Sequence, residues 1–263
     1  MKISKKWGAF LLLLMLCGAL SGCSLPGRSG SGKVVYANHN DGDTFCGQIK
    51  AAFTAKAQAE GLDVAFLDAK SDGNLQIDQL NQAVADHVSA IVLLAVDGTS
   101  IIPSVEKAKA AGIPVVTLNR DLKDPTIFGA MSDDLEAGRM QGEFMAQHLP
   151  KDAKVVYLMG ESSQSGAVKR WEGFKAACLD KRPDVKLLAS VDAGWSRAEG
   201  LKALTLWMQM FPKIDGVVAG NDDMALGAVQ ALKEAGRLQG CLVSGVDATE
   251  GGLKAVQSGD MAQ

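Results

Sequence analysis

The sequence predicts an α/β fold in which parallel sheets are covered by helices, arranged as two lobes that follow one another along the chain. Three observations carry this. Short β-branched runs alternate with longer helical stretches. Glycines stand where helices should end, at Gly61, Gly112 and Gly236. The texture breaks once, in FGAMSDDLEAG (128–138), where one strand-helix series stops and another begins.

Taken in order, the expected strands are Val34 to Ala37, Val64 to Leu67, Ala90 to Ala95, Pro114 to Leu118, Val155 to Met159, Lys186 to Val191, Gly216 to Ala219 and Leu242 to Val246. Helices fill the intervals. Ile77, Leu80 and Val84 keep the three-and-four spacing of a buried helix face, as do Ala225, Ala228, Val229 and Leu232. Asp133 followed by Glu136 predicts a capped helix start, which sets the lobes at 33–133 and 134–263.

Residues before Lys33 read differently. Lys2, Lys5 and Lys6 precede the apolar run Ala9 to Leu16, too short for a comfortable bilayer span and suited to an export signal. The run closes on Leu20-Ser21-Gly22-Cys23, which resembles the lipobox of bacterial lipoproteins. That resemblance implies a signal over 1–23, lipidation of Cys23, and a Gly/Ser tether over 24–32. The expected location is the periplasm or cell surface, anchored to a membrane by lipid. Of the cysteines left for the folded part, Cys46, Cys178 and Cys241 show no CxxC spacing, and buried thiols are expected rather than a bridge.

Lys and Arg number 27 against 30 Asp and Glu, a net charge of -3, so no basic field exists for nucleic acid. Catalytic motifs fail as well. GRSGSGK (27–33) imitates a phosphate loop, but Val34 stands where Ser or Thr is required and a strand follows instead of a helix. His39, His87 and His148 lack zinc-like spacing, although His39 lies beside the first loop. Neither a cofactor nor an enzymatic activity is expected.

Ligands of open parallel sheets sit outside the carboxyl ends of the strands. Just past those ends stand Asp43 and Phe45, Asn119 and Arg120, Arg170, Trp195, Asn221 and Asp247. Several have a plainer reading: Asp43 and Asn221 can cap helices, Phe45 can be core, Arg170 can be solvated, and Asp247 can serve a turn. Trp195 precedes the S-x-x-E box of Ser196 and Glu199, but its staple partner would be Gly200, so a ring facing a cleft is favoured. Two arginines, two aspartates, two asparagines and two aromatic rings suit a neutral molecule crowded with hydroxyls.

VVTLNRD (115–121), KRWEGF (169–174), GNDDMALGAVQALKEAG (220–236) and SGVDAT (244–249) together resemble the ribose/galactose type of sugar-binding proteins of bacterial ABC importers. The resemblance implies two Rossmann-like lobes closing on a monosaccharide, the type I periplasmic-binding-protein arrangement, and delivery to an ABC permease by a monomer. It places Asp43, Phe45, Asn119, Arg120, Arg170, Trp195, Asn221 and Asp247 on ligand positions. Asn119 stands where Asp is common in the ribose branch, and Cys46 where a second aromatic is frequent. NR together with GWSR looks closest to inositol-binding members, which favours a cyclitol, with ribose or a hexose next. A sensory sugar-binding protein or a LacI-like regulator core shares the same outline. Members run on for some tens of residues past SGDMAQ, so the C-terminal return to the first lobe is expected to be missing.

Overall fold

The computed structural model describes residues 32–263. The expected export signal, the expected lipidation at Cys23 and the expected tether up to residue 31 lie outside the described residues. Among the described residues no helix is long and apolar enough to cross a membrane.

The chain alternates strand and helix: β1 (Lys33–Asn38), α1 (Thr44–Ala59), β2 (Asp63–Asp68), α2 (Gly73–Ala85), β3 (Ala90–Leu93), α3 (Ile102–Ala110), β4 (Val115–Leu118) and β5 (Phe128–Ala130). It continues with α4 (Asp134–His148), β6 (Lys154–Met159), α5 (Ser165–Phe174), β7 (Lys186–Asp192), α6 (Arg197–Met210), β8 (Gly216–Ala219), α7 (Asp222–Glu234), β9 (Leu242–Ser244) and α8 (Glu250–Ser258). A π-helical turn, Lys175–Leu179, prolongs α5. Two all-parallel sheets result, ordered β2-β1-β3-β4-β5 and β7-β6-β8-β9.

All eight expected strands form, three of them (β3, β4 and β9) shorter than expected and four (β1, β2, β6 and β7) slightly longer. Pro114 stays outside β4, lacking a ladder N–H, though its carbonyl accepts from Ile91 N at 2.9 Å. The last strand stops at Ser244 rather than Val246, because Gly245 N turns to Gln263 O and Val246 O accepts from Asp222 N. β5 was not legible in the sequence. Its three residues, Phe-Gly-Ala, carry no β-branched side chain, and they are held by register with β4 rather than by propensity.

The central strands feed two cores by their pleat. In β6, Val156 and Leu158 join the layer with Leu204, Trp207 and Ala228, while Val155 and Tyr157 join Met145, Phe174 and Cys178 on the opposite face. In the first sheet, Val35, Ala37, Ile91 and Leu93 pack with Leu80 and Val105, and Tyr36 meets Phe53 of α1 at 4.9 Å on the other side. A strand buried on both faces cannot alternate polar with apolar, which is why these runs read as continuous hydrophobic segments.

Helix starts follow the expected chemistry. Asp133 accepts from Glu136 N at 3.0 Å to open α4, and Ser196 Oγ accepts from Glu199 N at 3.4 Å to open α6. Gly61, Gly112 and Gly236 adopt φ of 66°, 73° and 66° at helix ends, the left-handed region where a Cβ is strained.

The crossing of α4 with α5 aims a side chain at the strand edges. A Cβ on Gly138 would lie 2.0 Å from the Arg170 carbonyl oxygen, and one on Gly173 would lie 2.2 Å from that of Leu135. The helices therefore touch backbone to backbone, bringing Arg170 over the end of the second sheet. Gly138→Ala should separate them, lowering stability by about 3 kcal/mol, at the upper end of overpacking costs. A urea midpoint equal to that of the unsubstituted protein would show that the crossing has slack.

Candidate functional site

Each sheet changes winding direction once, between β1 and β3 in the first and between β6 and β8 in the second. The loops after these and neighbouring strands converge. Asp43 and Phe45 follow β1, Asn119 and Arg120 follow β4, Arg170 lies on α5 after β6, Trp195 follows β7, Asn221 follows β8 and Asp247 follows β9. All eight line one cavity, together with Cys46, and residues from both sheets contribute. Its volume is about 20 Å³, room for roughly one water. Wider spaces of about 320 and 430 Å³ flank it, the first sharing Arg120 and the second sharing Asp43 and Trp195.

Arg170 is the most heavily partnered member. Its Nε donates to Asp134 Oδ1 at 2.9 Å, and Nη1 donates to Gly220 O at 2.6 Å and Asp247 Oδ1 at 3.3 Å. Only 6% of the side chain is exposed, so the solvated reading of this residue does not hold. Asp134 escaped the sequence reading, as did Asp222, which accepts from Thr249 N at 2.8 Å and from Thr249 Oγ1 at 2.9 Å. In SDD and NDD an acid follows the capping residue, Asp133 in one and Asn221 in the other, but the motif alone does not mark it as turning inward.

Arg120 is different. The residue is 7% exposed, yet among the described residues its guanidinium donates only from Nη1 to Asn119 O at 2.9 Å, and its buried Nε has no partner. No carboxylate lies within ion-pair distance of it among the described residues. Burial pulls its pKa below the ordinary arginine value, with the Arg170 charge acting in the same sense. Both guanidiniums lie near the Trp195 ring, at 5.7 Å for Arg120 and 5.6 Å for Arg170.

Trp195 serves core and cavity together. Its ring belongs to the apolar layer of the second sheet and packs where Gly160 and Gly220 have no side chains; a Cβ on Gly160 would sit 2.1 Å from its Cζ2. The indole N–H donates to Gln164 Oε1 at 2.9 Å.

The plainer readings hold in part for two polar members. Asn221 caps α7 through Met224 N at 2.9 Å and donates to Trp195 O at 3.2 Å; Asp43 caps α1 through Cys46 N at 2.7 Å. Both still face the cavity. Asp121 belongs to the outgoing loop, accepting from Lys123 N and pairing with Lys169 at 3.2 Å. His39, beside the first loop, is buried, 3.4 Å from Glu161 and 4.0 Å from the Cys46 sulfur. Cys46, Cys178 and Cys241 are buried and unpaired, and burial raises each thiol pKa, that of Cys178 to about 11. Among the described residues no cluster of His, Cys, Asp or Glu could hold a metal ion.

Desolvation pushes Asp247 up to about 7, against the opposing pull of Arg170 and with the push of Asp222 and Asp43. Its contribution to stability is therefore fully present below the ordinary carboxyl value near 3.8 and is lost as pH rises to about 7. Asp247→Asn should gain on the unsubstituted protein by up to about 4 kcal/mol between pH 4 and pH 8, by the linkage between shift and free energy. Parallel denaturation curves across that range would contradict the shift.

The two arginines should also part company on substitution. Arg170→Met strands Asp134 and Asp247 and should cost about 3 to 5 kcal/mol, whereas Arg120→Met removes an unpaired buried charge and should leave the ligand-free protein no less stable. Chemical denaturation of both variants checks the pair; equal losses would refute the distinction.

A family model described as periplasmic binding protein domain matches residues 34–263. The xylitol-binding protein of Mycolicibacterium smegmatis is 37% identical, over 96% of this chain and 71% of its own length. The ribose import binding protein of Bacillus subtilis is 29% identical, over 96% of this chain and 85% of its own. A solute-binding protein of an ABC transporter from Bacillus halodurans, solved with bound myo-inositol, superposes with a TM-score of 0.82 at 28% identity, covering 89% of this chain and 82% of that one. With parallel sheets whose following loops line one cavity and a family match spanning nearly all of the described residues, the chain belongs to the periplasmic binding protein family and has its type I α/β fold.

Proposed function

We propose that this chain captures a neutral monosaccharide or cyclitol between its two sheets and presents it to an ABC permease without altering it. The observation that carries the proposal is Arg120, a buried guanidinium with an unpartnered Nε and no carboxylate to answer it. Such a group is costly to keep unless a ligand supplies acceptors. An anion would supply them, but it would also meet Asp43 and Asp247, which line the same space. Hydroxyl oxygens answer the arginine without that repulsion.

Hydroxyls also suit the remaining groups, because each can donate and accept. Asp247, held near neutrality, can take either part, and Asn119 and Asp43 add acceptors. Trp195 has its N–H committed to Gln164, so what it offers a ligand is ring surface. Asn119 and Arg120 come from the first sheet, Arg170, Trp195 and Asp247 from the second. A polyol bridging them binds the closed arrangement more tightly than the open one, which is all that capture requires.

Relatives named for xylitol, ribose and myo-inositol support a neutral polyol, and the pairing of Asn119-Arg120 with Trp195 favours an inositol-like ring ahead of ribose or a hexose. The LSGC sequence supports lipidation at Cys23, tethering the protein beside its permease.

A thermal-shift panel of myo-inositol, xylitol, ribose, galactose and glucose tests the reading. At 100 times its Kd a ligand adds about 2.7 kcal/mol, an upward shift of several degrees for a domain of this size. Myo-inositol should give the largest shift, and Arg120→Met should abolish it. A panel with no response would remove the proposal.

A further inference from the structure

We propose that Gln164 is a positioning residue that makes the placement of Trp195 depend on the two sheets being held together. The idea rests on the capture reading above and concerns how the site is coupled to closure. Gln164 occupies the N-cap position of α5, yet its side chain makes no capping bond. Gln is a poor cap, and here a 1% exposed amide is turned elsewhere.

Its two ends serve different halves of the molecule. Oε1 accepts from the Trp195 indole N–H at 2.9 Å, on the second sheet's side. Nε2 donates at 3.0 Å to the carbonyl of Val96, which follows β3 of the first sheet, and also to Glu161 on its own loop. The orientation of the amide is dictated by its neighbours, since an indole N–H can only donate and a carbonyl can only accept. A carboxylate could serve the indole but not Val96. A thioether could serve neither well.

The acceptor is itself fixed. Val96 N donates to Gln76 Oε1 at 2.8 Å, and Gln76 Nε2 donates to Leu94 O at 2.8 Å, so a fully buried amide of α2 clamps the loop that carries Val96. His39, also from the first sheet's side, lies 3.4 Å from Glu161 and 3.3 Å from Gln164 Nε2. A continuous polar chain thus runs from Gln76 through Val96 and Gln164 to the ring that lines the cavity.

Trp195 needs such support. It has φ of 60° after Gly194 at 56°, and a bulky residue rarely holds the left-handed region unaided. If the sheets part, Gln164 loses Val96 and is free to follow Glu161. The indole then loses a fixed acceptor, and the cavity loses its ordered ring.

The test is Gln164→Glu made together with Glu161→Gln, which preserves net charge, keeps an acceptor for the indole, and lets residue 161 donate to the new carboxylate. The Trp195 indole N–H is followed by hydrogen exchange in ligand-free protein, its signal assigned by loss in Trp195→Phe. The proposal expects exchange at least tenfold faster than in the unsubstituted protein. Unchanged exchange in this double variant, with loss in Gln164→Met, would reduce the contact to a local bond and overturn the coupling. Should the double variant fail to fold, small-angle scattering of Trp195→Phe replaces it: expansion supports the coupling and unchanged dimensions refute it. With myo-inositol as probe, the double variant should bind at least tenfold more weakly, through faster dissociation. If the unsubstituted protein binds no polyol, the capture reading fails while the exchange result still decides the role of Gln164.

Discussion

The second half of the molecule is organised around the Arg170 guanidinium. A buried arginine must find carboxylates and carbonyls, and the ones it finds lie on α4, at the end of β8 and in the loop after β9. It can reach them only because α5 crosses α4 where Gly138 and Gly173 remove the side chains that would hold the helices apart. Once Arg170 is placed, the loops after β8 and β9 are placed with it. Gly220, which gives Arg170 its carbonyl, is also one of the two glycines on which the Trp195 ring rests. Packing and electrostatics therefore set the same geometry, and the geometry is that of the cavity wall.

Arg120 reverses this logic from the opposite wall. The same residue type, equally buried, is left with a backbone carbonyl two bonds of chain away and an unpartnered Nε. One arginine assembles its wall, and the other keeps a donor that the wall does not answer. The cavity between them holds about one water, too little for any ring with hydroxyls. On the capture proposal, ligand enters when the sheets stand further apart and meets its recognising groups from two sides. Binding and closure are one equilibrium under that constraint.

Most of the fold was legible because parallel sheets punctuate themselves. Apolar runs, capped helix starts and terminal glycines appeared where expected, and β5 escaped because register rather than composition makes it a strand. Most of the cavity was legible for a positional reason: residues just beyond a parallel strand, such as Asn119, Arg120, Trp195, Asn221 and Asp247, face the shared edge, whereas Arg170 reaches it from α5. What could not be read were partners chosen in three dimensions. Asp134, Asp222 and Gln164 sit beside residues that already explain a local turn or cap, and nothing in SDD, NDD or ESSQS says which side chain turns inward. His39 likewise reads as a turn residue until Cys46 and Glu161 are seen to enclose it.

Backbone conformation completes the site. Asn119, Trp195 and Asp247 have φ of 53°, 60° and 115°, and they stand after β4, β7 and β9, on both sides of the cavity. A strand leaving a parallel sheet ordinarily carries its next residues up into the covering helix layer; a left-handed residue turns the chain so that its side chain stays over the sheet edge. Asparagine adopts this region at little cost, because its short polar side chain tolerates it. Tryptophan does not, and such positions cost on the order of 1 to 3 kcal/mol. The strain is carried by interactions already made without ligand: glycine contacts beneath the indole and the Gln164 bond at its edge. A ligand therefore need not supply the energy to shape the loops. On the capture proposal, its contribution goes to the unanswered donors of Arg120 and to holding the sheets closed, so affinity would follow hydroxyl placement rather than bulk.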